Sequence, residues 1–167
     1  VGSASVSLPN GLVVGALMVV NAFGEVVDPQ KGKILAGVRV SPATLETPSN
    51  TPRFMPTLDL MQQFAAQNPL TFSEQHNTVI GVVATNASLT KEQTNYVAQM
   101  GQDGVARCIR LDHTLLDGDT LFAISTSNLP ADVKLVGALA VEVISQAILQ
   151  AVLSAQAAGG LACAADA

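Results

Sequence analysis

The sequence predicts an α+β fold, an antiparallel-rich sheet layered with helices, and three observations carry that prediction. A hairpin pattern opens the chain: Ser3 to Leu8 alternates small or polar with apolar residues, Pro9-Asn10-Gly11 supplies turn chemistry, and Leu12 to Asn21 runs apolar. A β-branched strand starting at Thr78 is followed by a helical pattern reaching Cys108, and a strand from Thr120 to Thr126 is followed by a long helical pattern after Pro130. The resulting order of hairpin, strand, linker, strand, helix, strand, helix is mixed, which suits a sheet covered by helices. At 167 residues, with 49% hydrophobic and 13% charged residues, the chain makes one domain with a substantial core.

Taken in order, the run Leu12 to Asn21 lacks alternation, so both faces of its strand are expected to be buried. Gly24 to Asp28 extends that strand or starts another, Pro29 to Lys33 is a polar turn, and Ile34 to Val40 is strand-like. From Ser41 to Pro56 the prolines at 42, 48, 52 and 56 mark an irregular loop. Leu58 to Gln67 fits a short helix with Leu58, Met61, Gln62, Ala65 and Ala66 on one face, stopped by Asn68-Pro69. Ser88 reads as the N-cap of the next helix, with Glu92 near the capping-box position and Val97, Gly101, Val105, Cys108 and Ile109 on one face. The small residues Ala98, Gly101 and Gly104 let that helix approach a sheet. Asp112 to Asp119 is a polar turn before the strand at Thr120. Pro130 and Asp132 open the last helix, whose inner face would hold Val136, Ala140, Val143, Ile144, Ala147 and Val152. Gly159-Gly160 is expected to end it, with a frayed Ala-rich remainder.

Composition narrows the function classes. A net charge of −5, with eight Lys plus Arg and no cluster of them, argues against nucleic acid and anionic membranes as partners. Leu12 to Ala22 is too short to span a bilayer and the last helical run is interrupted by Glu142, Gln146 and Gln150, so both read as buried elements. Cys108 and Cys163 have neither metal-ligand spacing nor a disulfide framework and read as reduced thiols of a cytoplasmic protein, Cys108 as a small core residue. The hydrophobic excess is expected to be covered in part by partner subunits. Because the sequence opens mid-pattern at Val1-Gly2-Ser3-Ala4, residues 1–167 are expected to be one domain at the C-terminal end of a longer precursor.

The segment Glu74 to Asn86 organises the chemistry, because a polar stretch runs without a turn into a strand that begins at Thr78. Upstream lies a proline-rich linker, about residues 41–77, that reads as an exposed connection open to cleavage. Cutting the Asn77–Thr78 bond would give one residue both a nucleophilic hydroxyl and, in its new α-amine, the base that activates it. The plain alternative is that Thr78 is a good β-former at a strand edge. Asp117-Gly118-Asp119 puts two carboxylates on one turn, where they would orient an α-ammonium, or it is an ordinary Asp-Gly turn. Asn21 is an amide at the end of an apolar strand that would donate to an oxyanion, or a satisfied core residue. His76 and His113 are too few and too scattered for a metal site, and the glycines at 11, 15, 24 and 32 fit no nucleotide-binding fingerprint, so no metal or cofactor is expected.

These residues resemble a known family. Val1-Gly2-Ser3-Ala4-Ser5, Leu8-Pro9-Asn10-Gly11-Leu12-Val13-Val14-Gly15-Ala16-Leu17, Val20-Asn21-Ala22-Phe23-Gly24, Asn77-Thr78-Val79-Ile80-Gly81-Val82-Val83-Ala84-Thr85 and His113 to Ala123 together look like the self-cleaving L-aminopeptidase/D-esterase (DmpA-like) family, which includes the endo-type nylon-oligomer hydrolases. The resemblance implies an αββα four-layer sandwich of the N-terminal-nucleophile-hydrolase kind, autoproteolysis into an α chain ending at residue 77 and a β chain of residues 78–167, and a homo-oligomer, often a tetramer. It implies Thr78 as nucleophile, Asn21 as the active-site Asn, and Asp117 and Asp119 as the acidic pair, closer to the nylon-oligomer branch. The Lys or Tyr that precedes the Gly-Ser-Ala-Ser strand in that family has no counterpart in this chain. The expected activity is amide hydrolysis of short peptides, aminoacyl amides or ω-amino-acid oligomers; the competing class is a catalytically silent assembly or binding protein with the same fold.

Overall fold

The structure is a computed structural model that describes residues 1–39, 54–67, 77–160 and 163–164. The predicted hairpin is present, with β1 (Gly2–Ser7) paired antiparallel to β2 (Val13–Asn21). Its turn needs a residue at φ +84°, which Gly11 supplies without steric cost, and the Asn10 side chain accepts from the Leu12 amide at 3.1 Å. Next come β3 (Val26–Val27) and β4 (Ile34–Ala36), which pair antiparallel, and β5 (Val38–Arg39), which pairs antiparallel with β6 (Phe54–Met55). The predicted loop thus gives way to a short strand at its far end, while its residues 41–53 lie outside the described ones.

The main sheet continues with β7 (Thr78–Ala87) and β8 (Thr120–Leu129) and has the order β1-β2-β7-β8. β7 runs antiparallel to β2 and parallel to β8, with α2 (Lys91–Cys108) as the crossover that a parallel pair requires. Alternate residues Val14, Ala16 and Met18 of β2 and Val79 and Val83 of β7 are buried toward α2 and α3 (Val133–Leu153). The opposite face is open among the described residues: Leu17 is 47% exposed and Phe122 55%, with Val13, Val19, Ile80 and Ile124 beside them. The expectation that both faces of β2 are buried is therefore corrected for these residues. A period of two sends the continuous apolar run to both sides of the sheet, and the helices cover one side.

The helices refine the sequence reading. Thr90, not Ser88, caps α2: its hydroxyl accepts from the Gln93 amide while the Gln93 side chain accepts from the Thr90 amide. Ser88 instead donates its amide to the Leu129 carbonyl at 2.7 Å, finishing the β7–β8 edge. Gly101 lies against Leu121 of β8 and Ile144 of α3, whereas Gly104 packs on the Val141 carbonyl of α3, so the small residues serve helix–helix approach as well as the sheet. Asp132 caps α3, accepting from the Lys134 amide at 2.9 Å. By length and composition α3 is apolar enough to cross a membrane, but in this fold Val136, Ala140, Val143, Ile144, Ala147 and Ile148 are buried in the core. It ends at Leu153 on the Ser154 cap, ahead of Gly159 and Gly160, which sit in a later turn.

Helix α1 (Thr57–Gln67) forms where expected, but its predicted inner face does not hold: Leu58, Gln62, Ala65 and Ala66 are exposed and only Leu60 and Met61 are half-buried. What anchors it is Glu25, a buried carboxylate whose Oε2 accepts from the Thr57 amide at 3.0 Å and whose Oε1 lies 3.9 Å from the Arg110 guanidinium. The predicted stop at Asn68-Pro69 and most of the Ala-rich tail lie outside the described residues.

Candidate active site

Topology brings the predicted site residues to one end of the sheet. Because β2 is antiparallel to β7, its last residue, Asn21, stands across from Thr78, the first residue of β7. Because β8 is parallel to β7, the turn that precedes β8 lies beside the residues that open β7, with Asn77 bridged to Asp117. Asn21, Asn77, Thr78, Asp117 and Asp119, separated by up to about a hundred residues in sequence, thus share one sheet end.

At the centre is the carbonyl of Asn77. The Thr78 hydroxyl donates to it at 2.6 Å and the Gly118 amide donates to it at 3.0 Å. The Asn77 side chain is tied down as well, its Nδ2 donating to the Ala22 carbonyl at 3.1 Å. A Cβ at position 118 would stand 3.1 Å from Thr78 Oγ1, so glycine lets the turn close onto the hydroxyl. The turn itself is bent by Leu111 and His113 at φ 61° and 55°, a region that non-glycine residues rarely adopt and that commonly marks functional loops.

The two carboxylates have different partners. Asp117 uses both oxygens, accepting from the Phe23 amide at 3.0 Å and from the Thr114 hydroxyl at 2.8 Å, and so ties the segment after β2 to the turn before β8. Asp119 accepts from the Val79 amide at 2.8 Å through Oδ1, while its Oδ2 is buried and has no hydrogen-bond partner among the described residues. Burial raises the Asp119 pKa above the ordinary value of 3.8, with the Asp117 charge adding to the rise and the Val79 amide and the nearby His113 opposing it. Asp119 is thus a carboxylate fixed on the amide of the residue after Thr78, with an acceptor oxygen to spare among the described residues.

Asn21 is exposed, and among the described residues no side-chain hydrogen bond places it on the Asn77 carbonyl. His113 lies 3.2 Å from Asp112, not on Thr78, and His76 is outside the described residues. Two cavities of about 380 and 370 Å³ lie elsewhere, one between the end of α3 and β4 to β6, the other on the open sheet face around Gly15; Thr78, Asp117 and Asp119 line neither. Sequence reasoning missed the Gly118 amide and Thr114. The signal for the first is the glycine at the middle of Asp-Gly-Asp, a turn residue whose lack of a side chain lets its amide approach a neighbouring strand.

The chain is similar in sequence and in fold to known proteins. An uncharacterized aminopeptidase of Mycobacterium tuberculosis is 37% identical over 177 residues, covering 96% of this chain and 49% of that protein. A 6-aminohexanoate-oligomer endohydrolase of Paenarthrobacter ureafaciens is 30% identical over 149 residues, covering 81% of this chain and 39% of its own length. The chain thus spans about half or less of the curated relatives it matches. The solved structure of the L-aminopeptidase D-Ala-esterase/amidase of Ochrobactrum anthropi, a variant of the Ntn hydrolase fold, superposes with a TM-score of 0.57 at 20% identity, covering 96% of this chain and 41% of that one. The same α+β arrangement and Ntn-hydrolase-like fold are therefore present here. The family model for Peptidase family S58 matches residues 1–164, nearly end to end, and the chain belongs to that family.

Proposed function

We propose that this chain is part of an N-terminal-threonine amide hydrolase, activated by its own cleavage between Asn77 and Thr78. The observation that carries the reading is the Thr78 hydroxyl held 2.6 Å from the carbonyl oxygen of the bond it would break, on a residue that opens the strand. Oγ adds to the Asn77 carbonyl carbon and the C–N bond breaks; the hydroxyl proton ends on the Thr78 nitrogen, leaving an ester that water opens to the Asn77 carboxylate. The freed α-amine then takes the Oγ proton during attack on a substrate amide and returns it to the leaving amine, so one residue supplies nucleophile and base. Asp119 Oδ2 is the acceptor for the new ammonium, and Asp117 holds the turn that carries it.

The relatives named above support short peptides, aminoacyl amides and ω-amino-acid oligomers as the substrates to try, none of which needs a carboxylate on the acyl side of the scissile bond, where it would face the two aspartates. A homo-oligomer without nucleic acid, metal or membrane partners completes the proposal. The test is mass spectrometry of the full-length protein: a fragment starting at Thr78 is expected, Thr78→Ser still cleaves, and Thr78→Ala stays one chain. Cleavage at the same bond in Thr78→Ala would falsify the proposal. Alanine p-nitroanilide, a β-amino-acid amide and a linear 6-aminohexanoate oligomer then serve as substrates. Hydrolysis of none of them by the processed protein favours the silent-scaffold alternative.

A further inference from the structure

We infer that the backbone amide of Gly118 is the oxyanion donor of the self-cleavage step, so that the middle residue of Asp117-Gly118-Asp119, and not its carboxylates, acts on the bond being cut. The inference rests on the self-cleavage reading and adds a named group to it. When Oγ adds to the Asn77 carbonyl, negative charge gathers on the carbonyl oxygen, and a donor already aimed at that atom needs no rearrangement to stabilise it. The Gly118 N–H stands in that position, 3.0 Å from the oxygen, in the structure of the intact bond.

Three further features hold it there. The Asn77–Asp117 bridge fixes the turn against the start of β7. Asp117 ties the same turn to Phe23 and Thr114 with both oxygens. The absence of a Cβ at 118 leaves the Thr78 hydroxyl room beside the amide, since an added carbon would come within 3.1 Å of Oγ1. Asn21, the amide side chain that the sequence puts forward for this duty, is exposed and has no hydrogen bond to that oxygen among the described residues. The acyl group that leaves with Asn77 also vacates the Gly118 amide, which then meets the next carbonyl presented to Thr78.

The experiment replaces Gly118 by glycolic acid in the full-length protein, exchanging the N–H for an ester oxygen while keeping the size of the residue. Self-cleavage, followed by the appearance of the fragment starting at Thr78, is expected to slow by about 10²–10³, the effect of removing one oxyanion donor. Wild-type cleavage with an unchanged rate in the ester variant overturns the Gly118 assignment and leaves self-cleavage standing. A wild-type protein that never cleaves overturns the self-cleavage reading itself. If the ester variant does not fold, a crystal structure of the full-length Thr78→Ala protein decides: a Gly118 N–H within hydrogen-bond distance of the Asn77 carbonyl is expected, and an amide turned away from it overturns the assignment.

Discussion

Asp117 and Asp119 are two residues apart, yet substitution should separate them. Asp117 has no unused oxygen, so Asp117→Asn breaks an established bond and should lower the stability of the full-length protein by about 1–3 kcal/mol, read from its denaturant midpoint. Asp119 has one buried oxygen without a partner, and Asp119→Asn should cut turnover of the processed enzyme by about 10² or more, because the ammonium loses its counter-charge. Stability should move the other way. The Asp119 pKa is raised above 3.8 in the fold, chiefly by burial, so the folded state holds a proton that the unfolded state releases. Stability is then fully present below pH 3.8 and declines as pH rises through the folded value. In the uncleaved Thr78→Ala background, Asp119→Asn should therefore raise the melting temperature at pH 7, with the gain vanishing below pH 3.8; an equal gain at both ends of the range would count against the buried charge. The sequence showed both carboxylates and the Thr78 hydroxyl. It did not show which carboxylate had a free oxygen, because that depends on Phe23 and Val79, whose contacts are set by strand pairing across the whole chain.

The secondary-structure elements were legible wherever periodicity and turn chemistry were strong, as in the hairpin at Pro9-Asn10-Gly11 and the buried face of α3. Element ends were harder, because Ser88 and Thr90 are both acceptable caps by type and the choice falls to the β7–β8 edge, which uses the Ser88 amide. Thr90→Ala should cost about 1 kcal/mol of stability by urea unfolding, while Ser88→Ala should stay within about 0.5 kcal/mol. Comparable losses at the two sites would return the cap to Ser88. Helix α1 misled the pattern reading because it is held at its first residue by Glu25 and barely packs along its length. At Gly104 an added methyl would come within 2.6 Å of the Val141 carbonyl, so Gly104→Ala should lower stability by about 1–3 kcal/mol through forced separation of α2 and α3.

Across the whole molecule, the described residues supply a helical layer, one four-stranded sheet and two two-stranded ones, with an apolar second face of the main sheet left open around Leu17, Ile80 and Phe122. That face explains why β2 reads as buried on both sides: its composition is set for a covered sheet, and sequence cannot say what covers it. The strand order has a further consequence. The proposed cut falls at the start of β7, which lies between β2 from the first piece and β8 from the second, while α3 of the second piece packs on β1 and β2 of the first. Two pieces interleaved in this way remain one folded body, but their unfolding becomes a dissociation. Mass action then governs survival, with each tenfold dilution costing about 1.4 kcal/mol, so the melting temperature of the cleaved protein should fall more steeply on dilution than that of Thr78→Ala. A nicked molecule that once comes apart must recover its partner by diffusion, so the proposed cut that frees the α-amine of Thr78 would also make unfolding hard to reverse.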